Sequence, residues 1–87
     1  MTYRLRFTPS VKKQVAKLDP QVAVRIKRFL LRIDLDNPRS TGHALAGDSG
    51  LWRYRVGDYR ILASISDDEL LVLVVDIDHR RQVYRTK

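Results

Sequence analysis

The dipeptide Gly57-Asp58 sits between two runs of alternating character, Leu51–Val56 and Tyr59–Ser66. A Gly-X pair suits a two-residue hairpin loop. With that loop, Val56 pairs with Tyr59, Tyr54 with Ile61, Arg55 with Arg60 and Arg53 with Leu62. Side chains alternate across a strand, so Arg53, Arg55 and Arg60 fall on one face. Trp52, Tyr54, Val56, Tyr59 and Ile61 fall on the other. The second face is apolar and must be covered by another part of the chain.

Two segments upstream supply the cover. Thr8-Pro9 and Asp19-Pro20 each place a capping residue before a proline, a helix-start signal. After the first, Val11, Val15 and Leu18 recur at helical spacing, with Lys12, Lys13 and Lys17 off that stripe. After the second, a helix is expected from about Pro20 to about Leu35. Its buried stripe is Val22, Ile26, Phe29, Leu30 and Ile33, and Arg25, Arg28 and Arg32 lie along another face. Before both, Thr2–Phe7 alternates, with Tyr3, Leu5 and Phe7 on one side, as a half-buried strand does. Residues 36–50 carry Pro38, Gly42, Gly47 and Gly50 and read as a loop. After the hairpin, Asp67-Asp68-Glu69 turns the chain into Leu70–Asp78, the most apolar strand, expected to be central and buried on both faces. The order is β-α-α-β-β-β: an α+β fold with a two-helix hairpin on one face of a small, mostly antiparallel, four-stranded sheet. The helical hairpin is a crossover long enough to let the first strand run parallel to a later one.

The 87 residues contain no cysteine, which excludes disulfides and thiolate metal sites and fits a cytoplasmic location. One domain, residues 1–87, is expected, with a modest core, since a chain this short buries only roughly 60–65 % of its unfolded surface. The first residues, MTYRLRF, lack the apolar stretch of a signal peptide, and the apolar run Leu70–Val75 is too short to span a membrane. Net charge is +7, and twelve of the seventeen basic residues are arginine. Arginine's planar fork grips phosphate bidentately and stacks on bases, so the composition points to nucleic acid.

The three arginines of the hairpin are the sharpest candidate site. Like charges directly opposite in a sheet are unfavourable by up to about 1 kcal/mol. Their juxtaposition makes sense beneath a polyanion, where guanidinium forks hold phosphate and stabilise charge that builds on it. The competing reading is a solvated outer face. Arg80, Arg81 and Tyr84 follow the last strand and can reach the same edge. Tyr84 can stack on a base or move a proton, or instead pack to pin the C-terminus. His79 is a further proton-transfer candidate. His43, in the loop with no nameable partner, reads as non-catalytic. No Gly-rich phosphate loop, metal-ligand spacing or Ser-His-Asp pattern is present, and neither metal nor cofactor is expected.

The stretch Ala44-Leu45-Ala46-Gly47, followed by Gly50–Leu62, resembles the signature of the RelE/ParE toxin superfamily. The ending His79-Arg80-Arg81-Gln82-Val83-Tyr84 resembles its RelE branch. The resemblance covers nearly the whole chain. It implies a type II toxin, a metal-independent, ribosome-dependent endoribonuclease (an mRNA interferase) that cuts messenger RNA in the ribosomal A site by attack of the 2′-hydroxyl on the adjacent phosphate. It implies a cognate, RelB-like antitoxin partner and no membrane. By the same resemblance Arg60 and Arg80 stabilise the phosphorane charge, Arg53 and Arg55 orient the phosphate with Arg81 beside them, and Tyr84 stacks on the base or assists proton transfer. Two departures stand out. Some members carry lysine at Arg53 and Arg55, and arginine cannot serve as a base as lysine can, which leaves Tyr84 and His79 as candidates. A tyrosine is common at the position of Ala63.

Two other functions fit the same features. The ParE branch uses the same fold to inhibit DNA gyrase without catalysis, since fold does not fix function. A basic adaptor would bind RNA through charge alone.

Overall fold

The computed structural model describes residues 2–45 and 50–79. The chain order is β1 (Arg4–Phe7), α1 (Pro9–Lys17), α2 (Pro20–Leu31), β2 (His43–Ala44), β3 (Leu51–Val56), β4 (Tyr59–Ser66) and β5 (Leu71–His79). The strands form one five-stranded sheet in the order β1-β5-β4-β3-β2. β1 runs parallel to β5, and the other neighbours are antiparallel. The expected four-stranded sheet thus gains β2 from within the expected loop.

Both helices begin as their capping signals require. Thr8 Oγ1 accepts from Val11 N at 3.2 Å and Asp19 Oδ1 from Gln21 N at 2.9 Å, with Pro9 and Pro20 opening the helices. α2 is shorter than expected, ending at Leu31 instead of near Leu35. Tertiary pairing takes over there: Leu35 O accepts from Tyr3 N at 2.8 Å, and Asp34 Oδ1 accepts from Asp36 N at 2.9 Å to turn the chain. Ile33 still reaches the core, although it lies beyond the helix.

The core lies between the helices and one face of the sheet. It is built from Val11, Ile26, Leu30 and Ile33 above, and from Tyr54, Ile61, Ala63, Val72, Val74 and Ile77 below. Phe29 meets the Tyr54 ring edge-on at 5.8 Å between centroids. Because both helices lie on this face, β5 is fully buried on it alone. Val72 and Val74 are buried while Leu71 and Leu73, which point the other way, are half-buried, so the expectation of burial on both faces is corrected. β5 also starts one residue late, since Leu70 adopts a left-handed conformation (φ +51°) that closes the turn.

Candidate functional site

The hairpin has the register that Gly57-Asp58 predicts. Val56 pairs with Tyr59, Arg55 with Arg60, Tyr54 with Ile61 and Arg53 with Leu62. Gly57 sits at φ +58°, the positive angle a tight hairpin demands at its first loop position. Arg53, Arg55 and Arg60 therefore share the face turned away from the helices. With Asp58 and Tyr59 they border a shallow cavity of about 130 Å³ at the hairpin end. Among the described residues, none of the three guanidinium groups has a hydrogen-bond or ion-pair partner. Their donors are available for an external acceptor.

Two further residues join this face by register. Asp78 on β5 is the cross-strand partner of Arg60, and His43 on β2 is the partner of Arg53. The acceptor beside Arg60 offsets part of the Arg55–Arg60 repulsion. The expectation of a loop position without a partner is corrected for His43, which lies on β2 and borders the arginine row through its pairing with Arg53. Two residues are too short a strand for periodicity to register, so only Gly42 gave a signal. A Cβ on Gly42 would lie 2.5 Å from Arg53 O and 2.6 Å from Trp52 Nε1, so glycine is what lets β2 close on β3.

The segment between α2 and β2 is fastened from several sides. Tyr54 OH donates to Pro38 O at 2.6 Å, and Trp52 Nε1 donates to Thr41 O at 2.7 Å. Burial pushes the Tyr54 hydroxyl above its ordinary pKa. Arg39 forms a two-pronged contact with Asp67, at 2.8 and 3.3 Å, and Tyr3 OH donates to the same carboxylate at 2.6 Å. The hydrogen bonds from Arg39 and then Tyr3 hold the Asp67 carboxyl below its usual range. The same bond to Asp67 raises the Tyr3 hydroxyl and the Arg39 guanidinium.

The remaining candidates divide by position. His79 ends β5 on the helix side, where its ring meets Tyr59 edge-on at 4.6 Å. Arg80, Arg81 and Tyr84 lie outside the described residues. Among the described residues, no group of three or more His, Cys, Asp or Glu could hold a metal ion, and no helix is long and apolar enough to cross a membrane.

The sequence matches the family described as ParE toxin of type II toxin-antitoxin system, parDE, over residues 5–84. It is 30 % identical over 86 residues to toxin RelG of Mycobacterium tuberculosis, covering 98 % of this chain and 99 % of that protein. The chain belongs to the RelE/ParE toxin superfamily. Solved structures agree. The RelBE2 toxin–antitoxin complex of M. tuberculosis superposes with a TM-score of 0.80 at 28 % identity, covering 92 % of this chain and 93 % of that one. A mutant of E. coli toxin RelE in the free state gives 0.77 at 25 % identity, covering 98 % and 93 %. The two-helix cover and mostly antiparallel sheet are thus the RelE fold, with the arginine row on its open face.

Proposed function

We propose that this toxin is a ribosome-dependent endoribonuclease that cuts messenger RNA in the A site and is held inactive by a cognate antitoxin. The observation that carries the reading is the row of three arginines, unpaired within the described chain, on the sheet face the helices leave open. In the proposed reaction the O2′–P bond forms as the P–O5′ bond breaks. A proton leaves O2′ and one reaches O5′, with no metal involved. Arg53 and Arg55 orient the phosphate, joined by Arg81, while Arg60 and Arg80 stabilise the charge on the phosphorane. Tyr84 stacks on the base or serves in proton transfer, with His79 as the other candidate base. The names of the relatives, toxins RelG and RelE of M. tuberculosis, support the RelE branch.

The antitoxin reading rests on shape and charge. A groove of about 500 Å³ runs between β1 and the helices, walled by Leu5, Phe7, Val11, Val15, Ile26 and Leu30. Lys12 and Lys27 border it, and Leu31 beside it is 82 % exposed. An amphipathic acidic segment of an antitoxin that folds on binding matches both features.

Purified protein, ribosomes and a defined message, with cut sites mapped by primer extension, test the reading. Cuts within ribosome-bound codons are expected, and none in naked RNA. A second reading, ParE-like inhibition of DNA gyrase without catalysis, is favoured by the description of the matching family. Loss of gyrase supercoiling at toxin concentrations that leave translated message whole would select it.

A further inference from the structure

β5 contains an irregularity with consequences for the arginine face. Ala63 pairs with Val74, but Leu62 pairs with Asp76, so Val75 is an extra residue and the register shifts there. Without the bulge, the pairing that begins at Ala63–Val74 would continue as Leu62–Val75, Ile61–Asp76, Arg60–Ile77 and Tyr59–Asp78. Asp76 would then enter the core and Ile77 would stand among the arginines, because a one-residue slip exchanges the two faces. The bulge instead puts Ile77 in the core, 7 % exposed, and sets Asp78 opposite Arg60.

A bulge leaves backbone groups without ladder partners. The β1–β5 ladder stops at Phe7–Val74, with one more bond from Thr8 N to Val74 O. Beyond it β1 has turned away into α1. Gln14 of α1 fills that place with one side-chain amide. Its Oε1 accepts from Ile77 N at 3.1 Å, and its Nε2 donates to Asp76 Oδ1 at 2.8 Å. Both bonds are half-buried and span more than sixty residues of sequence.

We infer that Gln14 is a positioning residue: it locks the β5 bulge in the phase that keeps Ile77 in the core and Asp78 opposite Arg60 in the register, and so preserves the polar arginine face on which the reacting phosphate is to sit. The inference rests on the endoribonuclease reading for its effect on rate, whereas the lock itself is independent of that reading. Gln14 touches neither the arginines nor the cavity they border, and it acts through β5.

The test uses the full chain in three forms besides the wild type. Gln14→Leu removes both bonds. Gln14→Glu keeps the acceptor for Ile77 N but sets two carboxylates against each other. Gln14→Glu with Asp76→Asn keeps the bond from Ile77 N and restores the side-chain bond with its direction reversed, the amide at position 76 now donating to the carboxylate at position 14. Single-turnover cleavage at saturating programmed ribosomes should fall about tenfold in each single variant and return to within about threefold of wild type in the reversed pair, with the half-saturating ribosome concentration little changed. By amide hydrogen exchange, Ile77 should lose protection in Gln14→Leu and keep it in the reversed pair. Wild-type cleavage in Gln14→Leu, unchanged protection of Ile77 there, or no recovery in the reversed pair would overturn the inference. Should the leucine variant fail to fold, the comparison of Gln14→Glu with the reversed pair still decides it. A wild type that cuts no message refutes the endoribonuclease reading, while the Ile77 exchange still tests the lock.

Discussion

Arg53, Arg55 and Arg60 differ in what their loss should do. Arg60 has a like charge opposite on β3 and an acid opposite on β5 in the register. Arg60→Ala should lower ribosome-dependent cleavage by roughly 10²–10³, as for loss of one charge-stabilising donor. It should leave the far-ultraviolet circular dichroism unchanged, because the side chain contributes nothing to the core. Arg80→Ala should lower cleavage to a similar degree. Tyr54 is the opposite case, fully buried with its hydroxyl spent on Pro38 O. Tyr54→Phe strands that carbonyl and should cost about 1–2 kcal/mol in urea unfolding, with the arginine face unaltered. The arginine row was legible from the sequence because a two-residue loop and the strand period together fix a register. His43, Asp78 and Gln14 were not, since each takes its meaning from a partner on another element.

At the level of elements, the caps, the hydrophobic stripes and the hairpin were local signals, and the chain obeys them. The end of α2 and the short strand β2 were misread because tertiary pairing overrides local pattern there, the burial of β5 on both faces because both helices cover one face, and the start of β5 because Leu70 takes a left-handed turn conformation. Gly42 is the hinge of β2. Its φ of +85° and the 2.5 Å clearance to Arg53 O leave no room for a side chain. Gly42→Ala should therefore destabilise the protein by about 1–2 kcal/mol from the backbone angle alone, before any clash. It should also loosen β2, which amide exchange along His43–Leu45 would reveal. The Asp67 contacts with Arg39 and Tyr3 add a pH signature. A carboxyl whose pKa is lowered on folding stabilises the fold above its unfolded pKa of about 3.9, and that contribution disappears as pH falls through the folded value. The stability difference between wild type and Asp67→Asn should be present at neutral pH and vanish on acidification below that range.

For the molecule as a whole, the two faces of the sheet divide the work. One is sealed by the helices and supplies the core, and the other presents arginines. The apolar groove and exposed Leu31 lie on the helical side, away from the arginine row. A chain of net charge +7 should associate with an acidic antitoxin segment quickly at low salt and more slowly as salt screens the attraction. Stopped-flow association over a salt series measures this, and a rate independent of salt would remove charge steering from the account.

The central claim is that the open arginine face cuts message on the ribosome. It is tested most directly by primer extension on a translated message exposed to wild-type protein and to Arg60→Ala, with naked RNA alongside. Discrete cuts in ribosome-bound codons are expected for the wild type, with a loss of roughly 10²–10³ in rate for the variant and intact naked RNA. Equal cutting by wild type and variant, or an uncut message beside inhibited gyrase, would contradict it.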